Sequence, residues 1–91
     1  MEDWLKNIIE IIQKTFDDIL TIDYKDLISV FYEHMSNRNL AKFISILYNK
    51  NEIDIYFEID KIMGQRYYDE NSLNEIIKIL EKNGFDECKN L

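Results

Sequence analysis

Glu52-Ile53-Asp54-Ile55-Tyr56-Phe57-Glu58-Ile59-Asp60-Lys61-Ile62-Met63 carries two periodicities at once. Ile53, Ile55, Phe57 and Ile59 alternate with Glu52, Asp54, Glu58 and Asp60, the period-two pattern of a half-buried strand. Ile55, Ile59, Ile62 and Met63 also stand at i, i+4, i+7 and i+8, one face of a helix. Asn51 is placed to cap such a helix and Gly64 to end it. A strand needs a partner, and the only nearby run is Gln65 to Tyr68. A hairpin of two strands is marginally stable by itself. The balance favours the helix, so the expected fold is all-α, a compact bundle of about five short helices. The alternative is an α+β domain with a small hairpin at residues 52–68.

Outward from this stretch the helical signal is plainer. Trp4, Leu5, Ile8, Ile9, Ile12, Phe16, Ile19 and Leu20 follow one helical face and predict a helix from about Asp3 to Ile22. Lys6, Glu10, Lys14 and Asp18 alternate in sign on the other side. Asp23 can cap a second helix, Tyr24 to Ser36, with Leu27, Ile28, Phe31 and Met35 inward. After the break Ser36-Asn37-Arg38-Asn39, a third helix covers Leu40 to Tyr48 on Leu40, Phe43, Ile44 and Leu47. The last runs from Leu73 to Lys82, opened by Ser72 and Glu75 as a capping box and closed by Asn83-Gly84. Phe85 is expected to fold back on the core, with at most a short turn in 86–91.

Composition supports this reading. The chain of 91 residues is long enough for one domain, taken here as 1–91. It has no proline and two glycines, too few turn formers for a sandwich or barrel. At 46% hydrophobic and 13% aromatic it has ample apolar surface to bury. No run of about 18 apolar residues is present to span a membrane. The first residues lack the basic start and continuous apolar run of a secretory signal, so a cytoplasmic location is the expectation.

The net charge of −7 argues against direct contact with nucleic acid or an anionic membrane and favours basic protein surfaces. Arg38, Lys42 and Lys50 lie in a stretch, Asn37 to Lys50, that contains no acid, so the charge is polarised along the chain. Three cations are too few for binding a polyanion by counterion release.

Little in the chain suggests catalysis. Cys88 is the only cysteine and His34 the only histidine. One cysteine builds neither a disulfide nor a zinc site, and His34 reads as a surface or cap residue. The acids match no calcium-loop spacing, and there is no glycine-rich phosphate loop or hydrolase elbow. No catalytic residue, cofactor or metal is therefore expected. Size and acidity are similar to those of nuclease-inhibiting immunity proteins and death-fold adaptors. No motif of either is present, and no family is assigned.

The candidate partner-binding residues are the acids Glu52, Asp54, Glu58, Asp60, Asp69 and Glu70, with Tyr56, Tyr67 and Tyr68 as anchors. Carboxylates offer charge complementarity, and tyrosine buries a large area with one polar handle. The expected function is a small acidic inhibitor: an immunity protein, an antitoxin or a phage-encoded anti-defence protein. It would block the basic surface of a nucleic-acid-binding enzyme. The alternative is a helical adaptor or regulatory module acting through apolar docking or self-association, with Trp4 and Ile11 broadening its first helix. Oligomeric state is not legible in the sequence.

Overall fold

A computed structural model of the protein describes residues 2–82. The expectations for Asn83-Gly84, Phe85, the 86–91 tail and Cys88 lie outside these residues. Among the described residues the chain forms five α-helices and no strand. They are α1 (Asp3–Thr15), α2 (Tyr24–Phe31), α3 (Asn37–Tyr48), α4 (Glu52–Gln65) and α5 (Glu70–Lys82), with a 3₁₀ turn at Ile19–Thr21 between α1 and α2.

The ambiguous stretch is a helix. The Asn51 side chain accepts from the amides of Ile53 at 2.9 Å and Asp54 at 3.1 Å, satisfying donors that a helix start leaves free. Ile55, Ile59 and Ile62 are buried, while Ile53 and Phe57 are 65% and 70% exposed. A strand would have put Ile53, Ile55, Phe57 and Ile59 on one side. The helix splits that row and closes its backbone hydrogen bonds locally, without a partner strand. Gly64 does not end α4, as its position had suggested. It lies inside the last turn, and Arg66 takes the left-handed conformation at φ 55° that closes the helix. The amides of Arg66 and Tyr67 both reach the Ile62 carbonyl.

Four other boundaries differ from expectation, among them the start of α3 at Asn37 rather than Leu40. The first helix stops at Thr15 rather than Ile22. Phe16 is extended, and the Asp18 carboxylate accepts from the Leu20 amide at 3.0 Å, drawing the chain into the 3₁₀ turn. Phe16, at the end of α1, and Ile19, in the turn, still pack against the core, so the apolar spacing continues past the helix. The second helix ends at Phe31 instead of Ser36, because Ser36 caps α3 by accepting from the Asn39 amide at 3.2 Å. In α5 the cap is Asp69 and not the Ser72–Glu75 box. Asp69 accepts from the Asn71 amide at 3.0 Å and the Ser72 hydroxyl at 3.3 Å, while its own amide donates to Asp26 at 3.0 Å. That tie to α2 fixes the start of α5 three residues before Leu73.

The core runs through all five helices. Leu27, Ile28, Phe31, Leu40, Phe43, Ile44 and Ile59 have no exposed surface, and Phe31 meets Phe43 edge to face at 5.1 Å between ring centres. Among the described residues no polar or charged side chain is buried. α3 and α4 make the most extensive helix pair. A short link through left-handed Asn49 joins them, and the Asn37 side-chain amide donates to the Asp60 carboxylate at 3.1 Å at the far end. This hairpin presents the outer face of α4 to solvent.

Candidate protein-binding face

At 100° per residue, α4 divides into three sectors. The inner sector, Ile55, Ile59 and Ile62, is buried. Ile53, Phe57, Asp60 and Gly64 stand roughly opposite, with Tyr56 beside them. Asp54 and Glu58 lie along one flank, and Glu52 on the other. The acids therefore do not line a single strip.

Each candidate has a definite setting. Glu58 is half-buried and accepts the Tyr24 hydroxyl at 2.8 Å, joining α4 to α2. The Tyr24 ring meets Tyr48 edge to face at 5.9 Å and lies beneath the Lys50 ammonium, 4.9 Å from the ring centre. Burial first, and the Glu58 hydrogen bond second, push the Tyr24 hydroxyl up to about 12. Burial, with the charges of Asp23 and Asp26, also raises Tyr48, whose hydroxyl donates to the Ile22 carbonyl at 2.9 Å. Asp69 caps α5, and Tyr68 packs against the core. Tyr67 is 55% exposed, and Glu70 pairs loosely with Arg66 at 3.9 Å, both side chains facing solvent. Tyr67, Tyr68 and Asp69 follow the end of α4 and Glu70 opens α5, about 20 Å along the α4 axis from Glu52.

The structure brings together a different set. Ile53, Tyr56, Phe57, Glu52 and Arg38 line an open groove of about 310 Å³ beside α4. The Tyr56 and Phe57 rings meet edge to face, 5.7 Å apart and at 84°, so each limits the other's motion. Two large apolar side chains and a tyrosine are thereby held in water next to the Glu52 carboxylate and the Arg38 guanidinium. Ile53, Phe57 and Arg38 were missed as site residues because the candidates were chosen among acids and tyrosines alone. The signal was available: on a helix Ile53 and Phe57 fall opposite Ile55, Ile59 and Ile62. Trp4 and Ile11 pack against the core, so they leave no broad apolar face on α1.

Elsewhere, the Lys42 ammonium donates to Glu2 at 2.8 Å, and the Trp4 indole also donates to that carboxylate. Both bonds, the lysine's first, lower the Glu2 carboxyl below its ordinary value. His34 sits in the turn after α2, its amide bonded to the Phe31 carbonyl at 3.0 Å. Among the described residues no three histidine, cysteine or acidic side chains converge as a metal-binding group, and no helix is long and apolar enough to cross a membrane. In comparisons with known proteins, the chain matches no family model, no curated protein and no solved structure.

Proposed function

We propose that this protein is a non-catalytic binding module that docks through the outer face of α4 onto a basic protein surface, in the manner of a stoichiometric inhibitor. The observation that carries the reading is the exposure of Ile53, Tyr56 and Phe57 on a helix whose other side is fully buried. Contiguous exposed apolar side chains cost solubility and mark interaction sites when framed by polar groups. Here the frame is Glu52 and Asp60, with Arg38 also on the groove, on a chain of net charge −7. Aromatic anchors inside a charged rim are the usual anatomy of a binding hot spot. The anchors slow release while the overall charge speeds encounter with a basic partner. A nucleic-acid-binding enzyme is the proposed target class, because its basic cleft would be closed to a polyanion by this acidic body.

The test is affinity capture from nuclease-treated lysate of the native source, at low and at high salt. Wild type is compared with Phe57→Ser and with Glu52→Lys. Glu58 and Asp60 are left intact because they hold Tyr24 and Asn37. The expected result is a basic protein retained by wild type at low salt and lost at high salt or with either variant. Capture that survives Phe57→Ser would refute the assigned face. A non-basic partner that survives high salt would replace the inhibitor reading with the adaptor one.

A further inference from the structure

Ile53, Phe57, Asp60 and Gly64 are spaced four, three and four residues apart. That is the seam spacing by which one helix packs along another. Gly64 is part of this seam. It lies inside α4, has no positive φ, and a side-chain carbon added there would meet nothing within 4 Å. The chain's own packing therefore does not require glycine, a poor helix former, at this position. What the missing side chain does leave is a point of close approach from outside, on the same row as the exposed Phe57 and Ile53. Asp60 stands in the row, with Glu52 on one flank and Asp54 on the other; Lys61 is the one cation on α4, and Arg38 of α3 also lines the groove.

Resting on the proposed docking face, we infer that its occupant is a basic amphipathic helix of a partner protein, laid along the Ile53–Phe57–Asp60–Gly64 seam. The charge selects this occupant over a second copy. Two copies would each bring a net charge of −7 and set the same acidic rims against each other. A helix with lysine or arginine flanking an apolar stripe would fill the groove and pair with Glu52 and Asp60.

The test uses the purified full chain and two synthetic peptides with leucine at the same a and d positions. One peptide carries lysine at its flanking positions and the other glutamate. Fluorescence anisotropy is expected to show binding of the lysine peptide, with helicity gained in circular dichroism. Phe57→Ser, which leaves the charge unchanged, is expected to weaken it by about tenfold or more, as loss of a hot-spot anchor does. Gly64→Gln is expected to weaken it too, by blocking the close approach. Equal binding to wild type and Phe57→Ser, equal binding of the glutamate peptide, or binding of neither peptide overturns the inference. A wild-type dimer in sedimentation that Phe57→Ser dissociates also overturns it, in favour of a second copy. If lysate capture depends on Phe57 while neither peptide binds, the face stands and only the helical occupant fails. If capture is indifferent to Phe57, both readings fall.

Discussion

Replacing Ile59 and Phe57 separately with alanine tests the structure where the sequence offered two answers. Two residues apart, these side chains would share one face of a strand. In α4 they point to opposite sides, Ile59 with no exposed surface and Phe57 70% exposed. Truncating a buried isoleucine loses its transfer free energy and leaves a cavity, a cost of about 2–5 kcal/mol. Ile59 sits in the centre of the α4 inner row between Ile55 and Ile62, with little room for collapse, so about 3 kcal/mol is expected. Phe57→Ala removes a ring already mostly in water and substitutes a better helix former. Its expected effect is within about 0.5 kcal/mol of zero. Domains of this size have total stabilities near the lower end of about 5–15 kcal/mol, so the Ile59 loss is large enough to threaten folding. Ile59→Val, expected to cost about 1 kcal/mol, gives the same comparison in a safer background. The assay is urea unfolding followed by far-ultraviolet circular dichroism, with midpoints compared at constant m. A Phe57→Ala loss comparable to that of Ile59→Ala would refute the helical assignment, and with it the outward face on which the binding proposals stand.

Three further outcomes follow from the C-terminal end of α4 and from the tyrosines. Gly64→Ala is expected to stabilise the fold by about 0.5–1 kcal/mol, since the site is helical and open. Arg66→Gly should also stabilise, by about 1 kcal/mol, because Arg66 holds a left-handed conformation at φ 55°. Thermal unfolding of the two single variants checks both, and a lowered midpoint in either contradicts the assigned ending of α4. In alkali, Tyr24 and Tyr48 are raised above the ordinary tyrosine value, Tyr24 to about 12. The folded chain thus holds these protons more tightly than the unfolded one. Their contribution is complete below about pH 10 and is lost as the pH climbs through the folded values. Tyrosinate absorbance should lag behind that of a free tyrosine, and stability should fall over the same range, less so in Tyr24→Phe.

By itself the sequence favoured the all-α class over a hairpin at residues 52–68 and determined most of the core. The periodic rows of α1, α2, α3 and α5 have local causes: apolar spacing, caps such as Asp23 and Asn51, and the absence of proline. Those signals act over three or four residues and need no knowledge of the rest of the chain. Element ends were less legible, because competing caps lie close together. Asp69 prevails over Ser72 only because Asp26, forty-three positions away, holds its amide. Glu58 and Asp60 look alike in sequence, yet α2 brings a tyrosine to one and α3 an asparagine to the other. The candidate face was the least visible part. Isoleucine and phenylalanine in a periodic run ordinarily signal burial, and although the helical reading sets Ile53 and Phe57 opposite the row of Ile55, Ile59 and Ile62, it does not say whether another element covers them as well. Burial depends on where the other helices lie. α3 and its neighbours cover the row of Ile55, Ile59 and Ile62, so the opposite row is left to water by tertiary packing alone.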